Sequence, residues 1–407
     1  MNSAGMNLPY LTADLPGIGG KLKHYPEDFF VEEVPLYQAS GEGQHIYAEI
    51  EKVGLSTYAA IKMIAQALKI SPGTIGYTGL KDAQAVTRQM LSIEKVAPET
   101  VKELSFPQIK ILSVRNHTNK LKPGHLAGNR FVIRVREVGQ ETVPAAEAVL
   151  DVLTKRGVPN FFGEQRFGNR NNTHRLGELL VRKNVAEFVA EYLGRPQAHE
   201  ALHIQAARRL IDEQRWAEAL AQWPGKLSDE RQVIAAIHKA EGQLDIAFRV
   251  LNKRAKSLFV AAFQAYLFNI LLSERLDRLD QLEHGDVAYI HQKRASFIVQ
   301  DAAVEQPRAD AFEISPSGPL FGLKTLLAEG EPGRRERAIL AEHHLLPEDF
   351  RVPGLKIQGA RRPYRFRLND PRIWWDDGLM ISFELQPGAY ATTVMAEIMK
   401  NELHQLS

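Results

Sequence analysis

Strand-like patterns lie near both ends of this 407-residue chain, and a longer helical stretch separates them. Apolar and polar residues alternate over residues 131–136 and again over 379–385, which predicts two half-buried strands. Residues 175–183, 196–223 and 253–282 have the periodicity of helices instead. Ser56 is a candidate N-cap of a further helix, and the segment SPSGP at 315–319 predicts a loop. Because the chain returns to strands after its helical middle, we predict an α+β (mixed α/β) fold in which one domain is inserted into another.

Composition narrows the class of protein. At 44% hydrophobic and 25% charged residues, the chain matches a soluble globular protein rather than a disordered, collagen-like or coiled-coil one. It has no run of about 18 apolar residues, so we expect no transmembrane helix. The first residues lack the basic and apolar regions of a signal peptide, and we expect none. The absence of cysteine excludes disulfides, thiol catalysis and cysteine-held metals, and favours a cytoplasmic location.

Basic residues are concentrated in three stretches, although the net charge is only +2. Residues 106–136, 155–184 and 351–372 each contain seven basic residues and at most two acidic ones. Each stretch also contains aromatic residues, which can stack on bases. If these stretches meet in the fold, they form a positive surface suited to a phosphate backbone. The sequence therefore favours a nucleic-acid partner over three unrelated solvated faces.

The segment HEALH at residues 199–203 matches a zinc-binding pattern. On a helix, His199 and His203 would share one face, and Glu200 could act as the general base of a metallopeptidase. The pattern is short, however, and its residue types are common on solvated helix faces. We therefore favour a solvated helix and keep a zinc metallopeptidase as an alternative.

The segment GLKDAQAVTRQ at residues 79–89 places an acidic residue on a loop between two strand-like segments. Lys81 and Arg88 flank Asp82, and nearby cations favour the ionised form of a carboxylate. An ionised carboxylate on a rigid turn can act as a nucleophile. Judged from the residues alone, an aspartate bonded to its own turn is the commoner case.

Several segments, in order along nearly the whole chain, resemble the TruD family of tRNA pseudouridine synthases. The segment at 79–89 resembles the catalytic signature of that family. The other matching segments are Lys23 with PEDFFVEE at 26–33, GNRF at 128–131, PNFFGEQRFG at 159–168, GARRP at 359–363 and PGAYAT at 387–392. Residues 185–250 carry the weakest resemblance.

The resemblance implies a tRNA pseudouridine synthase, an isomerase that cleaves the N-glycosidic bond of a uridine and rejoins the uracil through C5. It points to the uridine at position 13 of tRNA. It also implies a discontinuous pseudouridine-synthase-like catalytic domain at 1–157 and 358–407, and an inserted, more helical TRUD domain at 158–357. We expect the inserted domain to close over the RNA across a basic cleft. No cofactor is expected, since the reaction is a redox-neutral isomerisation with a carboxylate nucleophile. We also expect no metal, no membrane and no obligate protein partner.

The resemblance also assigns roles to individual residues. Asp82 matches the catalytic aspartate, whether it attacks C1′ or removes the C2′ proton, and Lys23 matches the cation that keeps it ionised. Phe131 matches an aromatic residue that stacks on the target base. The other expected pocket residues are Phe29, Asn129 and Tyr390, the last standing where related sequences often carry Phe. From the three basic stretches, rather than from the resemblance, the expected RNA-binding residues are Arg130, Arg166, Arg361 and Arg362. Besides the zinc metallopeptidase, an RNA-binding protein without catalysis is kept as an alternative.

Overall fold

The computed structural model describes residues 8–401. Its strands are β1 (Phe29–Pro35), β2 (His45–Val53), β3 (Gly76–Tyr77), β4 (Val86–Glu94), β5 (Ile109–His117), β6 (Leu126–Val135), β7 (Val158–Pro159), β8 (Val287–Ile290), β9 (Ala295–Ile298), β10 (Ile314–Leu320), β11 (Ala360–Pro363), β12 (Arg365–Phe366), β13 (Asn369–Trp375) and β14 (Leu379–Leu385). Its helices are α1 (Thr57–Ala67), α2 (Pro98–Lys102), α3 (Val143–Arg156), α4 (Thr173–Val181), α5 (Val185–Leu193), α6 (Leu202–Asp212), α7 (Trp216–Gln222), α8 (Ser228–Lys239), α9 (Ile246–Val250), α10 (Lys253–Arg275), α11 (Ala302–Asp310), α12 (Gly330–Glu342) and α13 (Ala391–Met399).

The chain forms two compact units, and the predicted mixed α+β fold is confirmed. We call them the sheet unit, which contains Tyr10–Val158 and residues 366–401, and the helical unit, which contains Pro159–Arg365 together with residues 8 and 9. The assignment of 1–157 and 358–407 as a catalytic domain and 158–357 as an inserted domain stays a prediction.

The sheet unit is built on one eight-stranded sheet with the order β13-β14-β6-β1-β4-β2-β5, and β3 pairs with β4. Its pairs are antiparallel except for β1 and β4, which run parallel at the centre. The two strands predicted from alternation are confirmed as β6 and β14. They are neighbours in the sheet, where Phe131 lies opposite Phe383 and Ile133 lies opposite Ile381. The helix predicted to begin after Ser56 is α1, and the Ser56 hydroxyl caps it by accepting from the Ala59 N–H.

Two apolar clusters cover the same face of this sheet. One joins β14, β6 and β1 to α3 and α13, and the other joins β2, β4 and β5 to α1. Strand register places a group of polar side chains on the same face, near the boundary of the two clusters. These are Glu33, Lys52, Thr87, Gln89 and Asn129. A sheet face that is apolar on both sides and polar between them is suited to holding a polar ligand.

The helical unit packs its helices around α10. Gly177 of α4 lies so close to α10 that a Cβ there would come within 2.0 Å of the Phe259 carbonyl oxygen. Residues Lys253–Arg278 are long and apolar enough to cross a membrane by length and composition, but 61% of the most apolar window is buried within the protein. That burial is typical of a core helix in a globular protein.

Two local predictions in the helical unit are wrong. The segment SPSGP at 315–319 was expected to be a loop because of its Pro and Gly content, yet it forms the buried strand β10. The strand tolerates its prolines because it pairs with β8 over Ile314–Pro316 and with β11 over Ser317–Leu320. The helix expected over 196–223 is instead the separate helices α6 and α7, and residues 196–201 precede them.

Candidate active site

Asp82 lies on the loop of residues 78–85 that connects β3 to β4, at the centre of the sheet unit. We call this segment the Asp82 loop. Its carboxylate is 35% exposed, and one oxygen accepts the Gln84 N–H at 2.9 Å. The aspartate is therefore bonded to its own turn, as the residues alone suggested, and it also has a free side open to a ligand.

Lys23 forms an ion pair with this carboxylate, as the resemblance implied. Its Nζ donates to Asp82 Oδ2 at 2.5 Å, and its side chain is only 10% exposed. The same ammonium lies 4.8 Å from the centre of the Phe29 ring, and the negative face of an aromatic ring attracts a cation. Lys23 has a backbone φ of 54°, a left-handed conformation that non-glycine residues rarely adopt.

A second cation, Lys52 of β2, approaches the Asp82 loop from the sheet. Lys52 is fully buried, and its Nζ donates to the Asp82 carbonyl oxygen at 3.0 Å and to the Leu55 carbonyl oxygen. Burial lowers the pKa of Lys52 to about 8, although the charge of Asp82 opposes that shift. Sequence reasoning missed this residue, since a lysine inside an apolar strand pattern gives no signal of its role.

The electrostatics of the loop favour an ionised aspartate. Burial alone raises the pKa of the Asp82 carboxyl, but the hydrogen bond from Lys23, the bond from the Gln84 N–H and the charges of Lys23 and Lys52 outweigh it. The pKa of Asp82 is therefore held below its ordinary value. Asp82 is ionised at neutral pH and can act as a nucleophile or a base.

The cations that flank Asp82 in sequence do not hold it. Lys81 pairs with Glu33 at 2.9 Å, with both side chains buried, and Arg88 pairs with Glu51 at 2.8 Å. The expectation that Lys81 and Arg88 ionise Asp82 is therefore wrong. Strand alternation explains the case of Arg88, because it points to the sheet face opposite Thr87 and Gln89.

Buried hydrogen bonds fix the Asp82 loop to α1 and β1. The Thr57 hydroxyl accepts the Lys81 N–H at 2.9 Å and donates to Gln89 Oε1 at 3.0 Å. The Thr78 hydroxyl donates to Glu33 Oε2 at 2.5 Å. Because every one of these groups is buried, breaking one bond leaves an unsatisfied polar atom, which costs about 1–3 kcal/mol. The loop that carries Asp82 is therefore rigidly placed.

Phe29 and Phe131 lie side by side on the sheet face that carries the polar group. Their ring centres are 6.2 Å apart in an edge-to-face arrangement, and Phe131 is 5.6 Å from Phe383. Both are largely buried, with Phe29 4% and Phe131 8% exposed. Phe131 therefore also belongs to the apolar core, beyond the stacking role that the resemblance implies.

Unpartnered polar atoms lie on the same sheet face. Asn129 is half-buried on β6, and its Oδ1 has no hydrogen-bond partner among residues 8–401. The same holds for Thr87 Oγ1 and Gln89 Nε2 on β4. Such atoms are costly to leave unpaired and are often satisfied by a ligand. Tyr390 lies at the N-terminus of α13 and is 41% exposed, so its hydroxyl can reach solvent or a ligand.

Comparison with known proteins decides the family. The family model described as tRNA pseudouridine synthase D (TruD) matches residues 5–398. The tRNA pseudouridine synthase D of Geobacter metallireducens is 46% identical over 96% of this chain and 97% of its own. That of Geotalea daltonii is 45% identical over 97% of this chain and all of its own. The chain belongs to the TruD family.

The fold agrees with a solved structure of the TruD family. The crystal structure of a protein from Methanosarcina mazei, described as tRNA pseudouridine synthase D (TruD), covers 98% of this chain with a TM-score of 0.89 and 28% identity. Each chain covers 98% of the other. The pseudouridine-synthase-like fold expected from the resemblance is therefore confirmed, and pseudouridine synthases are isomerases.

The arginines that the three basic stretches offered for RNA binding lie in different surroundings. Arg130 lies on β6 next to Asn129, so strand alternation turns it to the opposite sheet face, where it pairs with Glu384. Arg166 lies over the Phe162 ring, with its guanidinium carbon 5.3 Å from the ring centre. An RNA contact by either residue stays a prediction.

Two further arginines of this set are held by the helical unit itself. The Arg361 side chain is only 4% exposed and pairs with Glu336 at 2.8 Å. Arg362 lies 4.1 Å from the centre of the Phe162 ring and bonds to Asn160. These contacts support a structural role, and an RNA contact by Arg361 or Arg362 stays a prediction that burial does not favour.

The HEALH segment is not the metal-binding helix that its pattern describes. α6 begins only at Leu202, so the expectation that His199 and His203 share one helix face is wrong. Glu200 turns back to accept the Gln197 N–H at 2.8 Å and the Arg208 Nε–H at 2.8 Å, which holds this segment outside the helix. Residues 8–401 contain no group of three His, Asp or Glu side chains suited to a metal ion. Nothing described in this chain favours a zinc metallopeptidase.

Proposed function

We propose that this chain converts a uridine of tRNA into pseudouridine, with the Asp82 carboxylate as the reacting group. Family membership supports the reaction, and the observation that carries the residue assignment is the Lys23–Asp82 ion pair at 2.5 Å. Asp82 is partly exposed, and the largely buried Lys23 helps to lower its pKa, so at neutral pH its carboxylate is ionised and accessible for reaction. In the motif segment at 26–33, Asp28 and Glu33 are buried, and Glu32 pairs only with arginines that are themselves exposed, among the ion pairs of residues 8–401.

The reaction requires three events at the uridine. The bond between N1 and C1′ breaks, the uracil turns, and a bond forms between C5 and C1′ while the C5 proton leaves for water. In one route a carboxylate oxygen bonds to C1′ as the uracil departs, and C5 later displaces it. In the other route the carboxylate first removes the C2′ proton, so that the uracil leaves as a C1′–C2′ double bond forms, and the proton returns to C2′ as C5 bonds to C1′. Both routes need an ionised Asp82, and the Lys23 ammonium stabilises that form.

The uridine must leave the RNA stack to reach this loop, which costs a few kcal/mol. Stacking on an aromatic side chain returns about 1–3 kcal/mol per base. Two aromatic rings of this sheet face are candidates: Phe29 lies 4.8 Å from Lys23 Nζ, and Phe131 lies two residues after Asn129 on β6. The unpartnered Asn129 Oδ1 and Gln89 Nε2 would offer an acceptor and a donor to a uracil edge. The resemblance gives position 13 as the target uridine, which mapping of the product tRNA would test. A tRNA substrate is consistent with a cytoplasmic enzyme.

Tritium release tests the proposal directly. A tRNA transcript labelled at uracil C5 must lose its label to water as the C5–C1′ bond forms. We expect release by the wild type, and at least a thousandfold slower release by Asp82→Asn with RNA affinity changed only a few fold. Substantial release by Asp82→Asn would contradict the assignment of Asp82. Absence of release by the wild type on several unmodified tRNAs would contradict the activity itself.

A further inference from the structure

The helical unit contains an open groove that the proposed reaction does not use. One wall is a face of α10 with Lys253, Ser257 and Gln264, and the other is the segment 355–360 with Lys356 and Gln358. The groove has a volume of about 530 Å³. We call it the basic groove. None of the residues that line it is acidic.

The cations of the basic groove are not neutralised by the protein. Within residues 8–401, Lys253, Lys324 and Lys356 are exposed and have no carboxylate at ion-pair distance. Lys324 belongs to the rim, because its N–H donates to the Gln358 carbonyl oxygen at 2.7 Å. Arg361, only a few residues beyond Lys356, is by contrast buried against Glu336. Within this basic stretch of sequence, Lys356 therefore presents an unpaired charge to the groove, whereas Arg361 does not.

The walls of the basic groove are held in place by the fold. The Leu323 N–H and the Lys324 N–H donate to the carbonyl oxygens of residues 357 and 358 at 2.9 and 2.7 Å. The Gln264 side chain donates to the Phe321 carbonyl oxygen at 2.5 Å. Lys253 is the first residue of the 23-residue helix α10, whose N-terminal end carries a partial positive charge that adds to the lysines.

We propose that the basic groove binds the phosphate backbone of the substrate RNA. Lysines in an acid-free groove gain affinity by releasing counterions from a phosphate backbone, and they carry no base specificity. Glutamine and serine side chains between the lysines suit phosphate and ribose oxygens. The inference rests on the proposed function, since RNA is the substrate named there.

The salt dependence of RNA binding tests this groove. Binding of an unmodified tRNA transcript to the full chain would be measured from about 50 to 200 mM salt. For Lys253→Ala/Lys356→Ala we expect weaker binding and a slope of log Kd against log salt that is smaller by about two. The matched control is Lys226→Ala/Lys239→Ala, which removes two exposed lysines of the helical unit outside the groove and should keep the wild-type slope. The charge-keeping pair Lys253→Arg/Lys356→Arg should also keep it, which separates lost charge from misfolding.

The same variants separate this inference from the proposed function. With tritium release as the assay, Lys253→Ala/Lys356→Ala should raise KM and leave kcat within about twofold, because none of the residues placed around Asp82 lines the groove. An active wild type whose slope and KM are unchanged by the groove variant would overturn the groove and leave the function standing. A smaller slope with an inactive wild type would support the groove and overturn the function. Binding of a glutamate-rich peptide to the groove with an unchanged RNA slope would assign it to an acidic protein and overturn our proposal.

Discussion

Lys23 reaches Asp82 across 59 residues of sequence to form an ion pair of 2.5 Å in which the lysine is the more buried partner. The cation is thus held by the protein while the carboxylate keeps its exposed side. Removing the Lys23 ammonium should therefore raise the pKa of Asp82 but leave the position of its carboxylate nearly unchanged, because the Gln84 N–H still bonds to the other oxygen.

Lys23→Met should shift the acidic limb of the pH dependence of kcat/KM to higher pH. The pKa of Asp82 is lowered in the folded protein, so the reactive carboxylate is present above that pKa and lost as the pH falls through it. Without Lys23 the pKa rises, and we expect the acidic limb of kcat/KM to shift by about 1–3 pH units. Tritium release measured against pH checks this, with Lys23→Arg expected to stay near the wild type. Superimposable acidic limbs would refute the coupling.

Lys52→Met should remove a pH-dependent component of stability. Burial lowers the pKa of Lys52 to about 8 from an ordinary value of 10.5, so between these values the unfolded chain binds more protons than the folded one. Stability therefore rises with pH in that window in the wild type. We expect the free energy of unfolding of the wild type, relative to Lys52→Met, to rise by about 1–3 kcal/mol across it. Urea denaturation at several pH values measures this difference, and a flat difference would show that the lysine titrates normally.

Thr57→Val should loosen the Asp82 loop without touching the substrate. The variant leaves the Lys81 N–H and Gln89 Oε1 without their shared partner. We expect kcat to fall about tenfold or more with little change in KM, since a small displacement of a reacting group is costly. Thr154→Val is the matched control, because its hydroxyl bonds to the Leu150 carbonyl oxygen within α3. An equal effect of both variants on kcat would argue against a positioning role for Thr57.

Phe131→Ala should destabilise the sheet unit as well as affect the base. Phe131 packs between Phe29 and Phe383, and truncating a buried phenylalanine costs about 3–5 kcal/mol. Phe131→Leu keeps most of the apolar volume but loses the ring, so it isolates stacking from stability. We expect the unfolding temperature to fall sharply for Phe131→Ala only, and the rate of tritium release to fall for both variants. Wild-type kinetics in a folded Phe131→Leu would remove this ring from the pocket.

Arg361→Gln should act on stability rather than on RNA binding. The change leaves Glu336 buried without its cation, and breaking a buried pair costs about 3–5 kcal/mol. We expect a lower unfolding temperature and a salt slope equal to that of the wild type. If the slope of log Kd against log salt is instead reduced by about one, Arg361 contacts a phosphate, as the sequence suggested.

Local patterns predicted much of the sheet unit. Alternation at 131–136 and 379–385 correctly gave two strands, and Ser56 correctly marked the start of α1. These signals depend on neighbours a few residues away, which a sequence displays directly. The family resemblance placed Lys23 beside Asp82, which spacing alone could not have done.

The failures share a cause in tertiary contacts. β10 is a strand despite its prolines because two other strands each pair with half of it. Lys81 turns to Glu33 because that carboxylate is buried beside it and an unpaired buried charge is costly. No local pattern shows such a partner, so the basic stretch in sequence could not show that Arg361 pairs with Glu336 while Lys356 has no carboxylate partner.

The sheet unit also sets an order of events during synthesis. Arg130 on β6 and Glu384 on β14 are 254 residues apart in sequence, yet their strands are neighbours. At about 5–20 residues per second, the ribosome needs roughly 10–50 s to produce the second strand after the first. During that time β6 lacks one neighbour, and its open edge can pair with other chains. The nascent chain is therefore most exposed to aggregation before its last strand emerges, while the helical unit, continuous in sequence over Pro159–Arg365, can already fold.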